Sequence, residues 1–156
     1  MIKTLEEEIH AKKFNNEYHK MQINIVYTGS WMESELNKVF KKHGVSLPQY
    51  NILRILKGSI PHSLCLHQIK ERMLDRMSDT SRIVERMVKS EFLERTINEA
   101  DRRSINIKIT KKGIDLLNNM SAEVNALDDA ISVLTEEEAI QLNHLLNKVR
   151  VNKREI

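Results

Sequence analysis

The sequence predicts a mainly α-helical fold that carries one small β-hairpin, and three observations support this class. Only four Gly, two Pro and 4% aromatic residues occur in the 156-residue chain, which favours helices over an all-β fold. Apolar residues recur at every third or fourth position along most of the chain, which is the helical period. Segments 93–98 and 105–110 alternate apolar and polar residues around a polar loop, and they predict the hairpin. A chain of this length is expected to form a single domain, 1–156.

The first predicted element is helical and covers residues 5–40, as one long helix or as two helices that abut. Besides its main apolar stripe, it carries a second stripe that includes Ile23, Tyr27 and Trp31. A helix with two apolar faces is expected to pack on its own domain with one face and on a partner with the other. Gly44 suits the left-handed position that closes a helix, so the element is predicted to end there.

Three shorter helices are predicted next. Ser46 and Pro48 are typical of the start of the first of them, and Gly58 of its end. The second covers residues 66–74. After a short turn, Ser78 is predicted to cap the third helix. The inward positions of the third helix are Ile83, Val84, Met87 and Val88.

The third helix is predicted to leave a polar face exposed, which is able to contact nucleic acid. Hydroxyls in its first turn can donate to or accept from base edges, and the free N–H groups there favour a phosphate. Arg86 has two possible roles: it pairs with neighbouring glutamates as a structural residue, or it contacts a base or a phosphate. The candidate DNA-contacting residues of this segment are Ser78, Asp79, Thr80, Ser81, Arg82 and Arg86.

The loop of the predicted hairpin contains Asp101-Arg102-Arg103. Two adjacent guanidinium groups can enter a groove between phosphates, and Asp101 can orient one of them through a bidentate pair. Ordinary solvated loop charge is the alternative for Arg102 and Arg103. Together with the preceding helices, this hairpin predicts a winged helix-turn-helix, in which a helix reads the major groove and the wing touches the backbone or minor groove.

The positive charge of the chain is concentrated in the same region. Residues 66–113 contain twelve Lys and Arg against eight Asp and Glu, a net charge of +4, whereas the whole chain carries +3. The remaining residues therefore sum to −1. A local excess of this kind favours a polyanionic partner such as double-stranded DNA.

Two helices are predicted after the hairpin. Thr110 is placed to cap the first, and Thr135 with Glu138 forms a capping box for the second. The helices at both ends of the chain are more apolar than a lone domain requires. Segments 1–44 and 114–156 are therefore interpreted as dimerisation helices, and residues 45–113 as the winged helix-turn-helix lobe. A symmetric dimer would place two recognition helices roughly 34–36 Å apart along DNA.

Other classes of function find little support in the sequence. Cys65 is the only cysteine, so an intrachain disulfide is excluded, and a core or capping role is preferred for it over redox sensing. His62 and Cys65 lack the further ligands of a metal site, and no phosphate loop or nucleophile elbow occurs. We expect no cofactor, no metal and no enzymatic activity. Acidic residues near the N-terminus argue against a signal peptide, so a cytoplasmic protein without a membrane span is expected.

Several short motifs follow one another in a characteristic order: Leu47-Pro48-Gln49-Tyr50, Leu53, Ile69, Met73, Ser78, Val84, Arg86-Met87, Phe92-Leu93-Glu94-Arg95, Asp101-Arg102-Arg103-Ser104 and Ile109-Thr110-Lys111-Lys112-Gly113. This pattern resembles the MarR family of bacterial transcription regulators over nearly the whole chain. The sequence departs from the family pattern at Glu91, where Gly is usual, and at Cys65, where Ser or Thr is common.

The resemblance implies a homodimer that binds a pseudo-palindromic operator and regulates transcription. Repression by occupancy is the preferred mechanism, and activation is equally compatible with the residues. Tyr27, Trp31 and Tyr50 are candidates to line a pocket for a small aromatic effector, although core packing is the preferred interpretation of these side chains. The alternative function is a helical dimer that binds protein instead of DNA, which a lack of salt-sensitive duplex binding would reveal.

Overall fold

The structure is a computed structural model that describes residues 3–97, 105–130 and 133–151. It confirms the mainly helical class with a small sheet. The elements, in chain order, are α1 (Leu5–Glu8), α2 (Glu17–Lys42), α3 (Leu47–Lys57), β1 (Leu64–Cys65), α4 (Leu66–Arg72), α5 (Thr80–Lys89), β2 (Leu93–Ile97), β3 (Ile105–Ile109), α6 (Lys111–Ala130) and α7 (Glu136–Val149).

The N-terminal region contains two helices, and the first is only one turn long. The prediction of one long helix or two abutting helices is wrong, because residues 9–16 separate α1 from α2. Asn16 begins α2, since its Oδ1 accepts the N–H of His19 at 2.9 Å. The predicted end at Gly44 is confirmed, because this residue has a φ of +69°. The N–H of Val45 then bonds back to the carbonyl of Phe40 at 3.1 Å and closes the helix.

Residues 1–120 form one of two compact units of the chain. The core of this unit lies where α3, α4, α5 and the sheet meet. It receives Leu53 and Leu56 from α3, Ile69 from α4 and Met87 from α5, and each is at most 2% exposed. Phe40, at the C-terminal end of α2, is fully buried in the same core. Of the predicted inward positions of α5, Ile83, Val84 and Met87 are confirmed, whereas Val88 is half-buried.

The sheet has three antiparallel strands in the order β1-β3-β2. The predicted hairpin is confirmed, with Leu93 opposite Ile109 and Ile97 opposite Ile105. Strand β1 was not predicted from the sequence, because two residues are too few to show an alternating pattern. It pairs Leu64 with Ile107, so the link between α3 and α4 is joined to the wing.

Helix α5 ends in a turn that normally requires glycine. The N–H of Glu91 bonds to the carbonyl of Val88 at 2.9 Å, and the N–H of Phe92 bonds to that of Met87 at 3.0 Å. This is the Schellman arrangement, and Glu91 occupies its left-handed position with a φ of +64°. The departure from the family pattern at Glu91 therefore leaves the helix end unchanged.

A comparison of two variants at Glu91 measures this conformational strain. Both Glu91→Gly and Glu91→Ala remove the exposed ion pair with Lys112, in which Nζ lies 3.3 Å from Oε2. Only glycine avoids the steric penalty of a Cβ at positive φ. We expect the free energy of unfolding of the Gly variant to exceed that of the Ala variant by about 1 kcal/mol, as measured by urea unfolding. Equal stabilities would contradict this assignment.

The last two helices begin at the predicted caps. Thr110 Oγ1 accepts the N–H of Gly113 at 3.2 Å, and Thr135 Oγ1 accepts that of Glu138 at 3.2 Å. The chain divides into two compact units, 1–120 and 121–156, and the division falls within α6. Residues 136–149 of α7 include no buried side chain. Among the described helices, none combines the length and apolar character that a membrane crossing requires.

Candidate nucleic-acid interface

Helix α5 has one buried face and one exposed polar face. Ile83, Val84 and Met87 are each at most 7% exposed and pack into the core. Their spacing of one, three and four residues keeps them on one side of the helix. The opposite side presents exposed polar residues, namely Ser81, Arg82, Glu85, Arg86 and Lys89.

The start of α5 differs from the prediction, because Asp79 and not Ser78 is the N-cap. The Oδ1 atom of Asp79 accepts the N–H of Arg82 at 3.2 Å, and its Oδ2 lies 3.5 Å from the Arg82 Nε. Ser78 is engaged elsewhere, since its Oγ donates to Asp75 Oδ2 at 2.6 Å. The helix therefore begins at Thr80, and an acidic cap interacts favourably with the helix dipole.

Asp75 organises the turn between α4 and α5. Besides the Ser78 hydroxyl, its carboxylate accepts the N–H of Met77 at 2.9 Å. The hydrogen bonds from Ser78 and Met77 hold the pKa of the Asp75 carboxyl below its usual range, since they favour the charged form. These hydrogen bonds therefore stabilise the turn fully at pH values above the ordinary carboxyl pKa. The stabilisation is lost as the pH falls and Asp75 becomes protonated.

The prediction that Thr80 faces solvent or a ligand is wrong. Thr80 is only 3% exposed, and its Oγ1 donates to the carbonyl of Ser78 at 3.3 Å. The reason is the helical period, because Thr80 lies four residues before the buried Val84 and therefore on the same face of α5. Thr80 therefore supports the first turn and does not belong to the exposed surface.

A shallow cleft of about 280 Å³ separates the N-terminal ends of α4 and α5. Ser78, Asp79 and Ser81 line it from one side, and His67 and Lys70 line it from α4. Sequence reasoning did not select the α4 residues. Their three-residue spacing on a short amphipathic helix is a signal that could have found them, because it predicts that they share one exposed face.

The exposed face of α5 carries more cationic than anionic groups. The exposed face has three cationic side chains, those of Arg82, Arg86 and Lys89, and one anionic side chain, that of Glu85. The Lys89 Nζ lies 3.3 Å from Glu85 Oε1. The side chains of this pair are 74% and 54% exposed, so the pair contributes little to stability. Its cation can exchange the carboxylate for a phosphate at small cost.

Two groups of predicted site residues remain untested. Asp101, Arg102 and Arg103 lie outside the described residues. Tyr27 and Trp31 are 39% and 45% exposed on α2, so the preferred interpretation that they pack in the core is wrong. Tyr50 on α3 stacks on Phe40 with ring centroids 4.4 Å apart, and its hydroxyl accepts from Arg54 Nη1 at 3.1 Å. The α4–α5 cleft is not lined by these aromatic residues, and the effector pocket stays a prediction.

Comparisons with known proteins agree with this architecture. The family model described as MarR family matches residues 45–105, which include α3, α4, α5 and strand β2. The HTH-type transcriptional regulator MhqR of Bacillus subtilis (strain 168) is 32% identical over 127 residues, which cover 80% of this chain and 85% of that protein.

Two solved structures share the fold. A mutant MarR from E. coli, complexed with operator DNA, has a TM-score of 0.76 at 20% identity, with 88% of this chain and 99% of that chain covered. Bordetella bronchiseptica BpsR, studied for the regulation of its DNA binding by 6-hydroxynicotinic acid, has a TM-score of 0.73 at 15% identity, with 83% and 92% covered.

Proposed function

This chain belongs to the MarR family of transcription regulators, and on that premise we propose that it binds double-stranded DNA sequence-specifically, with α5 in the major groove. The observation that carries the proposal is the exposed face of α5. A helix held rigidly by one buried face presents hydroxyl and guanidinium groups on the other, which is what reading base edges requires. Catalysis forms no part of the proposed function.

Arg82 and Arg86 are the proposed main contacts of this helix. Their guanidinium groups lie four residues apart on the exposed face, so both can reach one stretch of a groove. Guanidinium groups bind phosphates or the O6 and N7 atoms of guanine through two parallel bonds. Ser81 lies next to Arg82 in the first turn and is proposed to contact a base edge, with Lys70 of α4 positioned for the flanking backbone.

We propose that the regulator acts as a homodimer on a pseudo-palindromic operator. Apolar side chains remain exposed on the helices that the sequence assigns to dimerisation. Val26 on α2 is 68% exposed, while Leu145 and Val149 on α7 are 49% and 52% exposed. Contact with a second copy would remove such surface from water, and two-fold symmetry would present two recognition helices to two half-sites.

Repression by occupancy of the operator is the proposed outcome. A small aromatic effector that altered the spacing of the two recognition helices would relieve it, since the operator fixes that spacing. The exposed rings of Tyr27 and Trp31 on α2 are the proposed contacts for such a ligand.

The test is the selection of bound duplexes from a random DNA pool at two salt concentrations, with the mass of the protein measured in solution. Enrichment of an inverted repeat by a dimer, with affinity that falls steeply as salt rises, is the expected result. No enrichment and no salt-sensitive retention would overturn the proposal and favour the protein-binding alternative.

The wing provides a separate prediction. Replacing Arg102 and Arg103 together with alanine is expected to lower affinity about tenfold or more for all duplexes alike, because minor-groove and phosphate contacts carry little sequence information. Ser81→Ala is expected to alter sequence preference instead. Electrophoretic mobility shifts on the selected duplex and on an unrelated duplex separate the two effects. An unchanged affinity in the double variant would exclude the wing from the interface.

A further inference from the structure

The turn between α4 and α5 carries two large apolar side chains that the fold does not use. Met77 is 93% exposed, more than any other large apolar side chain of the described residues, and Leu74 is 79% exposed. Their neighbour Met73 fills the core instead and is 4% exposed. When a ligand covers an apolar side chain that is exposed to water, the removal of that apolar surface from water favours binding.

This turn is fixed at several points, so its side chains project from a defined backbone. The N–H of Leu74 donates to Asn51 Oδ1 on α3 at 2.8 Å. Asp75 then accepts the N–H of Met77 at 2.9 Å and the hydroxyl of Ser78 at 2.6 Å. A contact made from an ordered turn costs less conformational entropy than one made from a free loop.

Met77 precedes the N-cap Asp79 by two residues and therefore lies at the end of α5 that contacts base edges in a helix-turn-helix. In the major groove, the apolar group that bases present is the 5-methyl of thymine. The unbranched thioether side chain of methionine adapts to such a small apolar surface. The polar residues around Met77 recognise bases mainly through hydrogen bonds and charge, so an exposed apolar side chain adds a different kind of contact.

We propose that Met77 is a specificity-determining residue that reads a thymine 5-methyl group in each operator half-site. The inference rests on the proposed function and deepens it. It adds apolar recognition to the hydrogen-bonding and ionic contacts of Ser81, Arg82 and Arg86, and it assigns that recognition to the turn before the helix.

The test uses the full chain and the duplex obtained by selection. Each thymine position of the half-site is replaced in turn by deoxyuracil, which lacks only the 5-methyl group, and each replacement is made symmetrically in both half-sites. We expect one or two positions at which the wild-type protein loses affinity by about fourfold per methyl, the effect of burying one methyl-sized group. Met77→Ala is expected to bind the thymine duplex correspondingly more weakly and to be insensitive to the replacement.

The four affinities form a double-mutant cycle, in which the coupling between side chain and methyl should be about fourfold per contact. Met77→Leu keeps an apolar side chain and should retain most of the sensitivity to deoxyuracil. Leu74→Ala is the matched control, because it removes an exposed apolar side chain from the same turn, and it should behave as the wild type does.

Three results would overturn the inference while leaving DNA binding intact. They are a wild-type protein indifferent to every deoxyuracil replacement, an unchanged sensitivity in Met77→Ala, and a loss of sensitivity in Leu74→Ala. Failure of the initial selection to enrich any duplex would instead overturn the proposed function itself, and this inference with it.

Discussion

Replacing Gly113 with alanine is expected to lower the free energy of unfolding by about 3 kcal/mol, the upper end of the usual cost of overpacking a core. A Cβ at this position would lie 2.5 Å from the carbonyl oxygen of Phe92 and 2.7 Å from Ile109 Cγ1. The carbonyl cannot move away freely, because it accepts the N–H of Thr110 at 3.1 Å and so joins the sheet to α6. The added methyl must therefore displace the start of α6.

The measurement is thermal unfolding followed by circular dichroism at one fixed protein concentration, since the proposed dimerisation would make the midpoint depend on concentration. The expected decrease in Tm is about 10 °C. Gly29→Ala is the control, because nothing lies within 4 Å of a Cβ there and the residue is in the middle of α2. That variant should be as stable as the wild type or slightly more stable. Equal Tm values for the wild type and the Gly113 variant would refute the close packing at α6.

Replacing Arg82 and Arg86 together with alanine is expected to lower affinity for the selected duplex by about 100-fold. Each guanidinium group is proposed to contribute a contact of about 1–3 kcal/mol, and every 1.4 kcal/mol is a factor of ten. Fold stability should change little, because both side chains are exposed and the Arg82 pair with Asp79, at 3.5 Å, is a surface pair. The salt dependence of binding should also become shallower, in proportion to the number of phosphates that the variant no longer neutralises.

The matched control removes the same charge elsewhere. Lys12 and Lys13 are both exposed in the loop between α1 and α2, and their double alanine variant should lose far less affinity. Fluorescence anisotropy titrations at two salt concentrations measure both variants. If the two double variants lose affinity equally, total charge and not the face of α5 governs binding, and the assignment of α5 as the recognition helix is wrong.

Much of the fold could be predicted because its signals lie within a few residues of one another. Thr135 and Glu138 form a capping box across one helical turn, and Gly44 closes α2 through bonds that span five residues. The exposed arginines of α5 also follow from a periodic pattern alone. Local hydrogen bonds and the helical period determine such features, so a short segment of the sequence is enough to predict them.

The remaining features depend on residues that are far apart in the chain. Strand β1 exists because Leu64 lies beside Ile107, and two residues carry no signal of their own. The choice of Asp79 as the N-cap of α5 follows from competition, since Asp75 holds the Ser78 hydroxyl and Thr80 gains burial in the core. For Glu91, the burial of Met87 before the turn and of Leu93 after it outweighs the preference of a side chain for negative φ.

The helical class, the hairpin and the helix caps of this protein were therefore encoded in its local sequence. Three features could be seen only in the folded chain. They are which polar residues of α5 face outward, the lack of room for a side chain at Gly113, and the projection of Met77 from an anchored turn. Burial and steric contact are properties of residues brought together from distant parts of the chain, whereas propensity and capping are properties of neighbours.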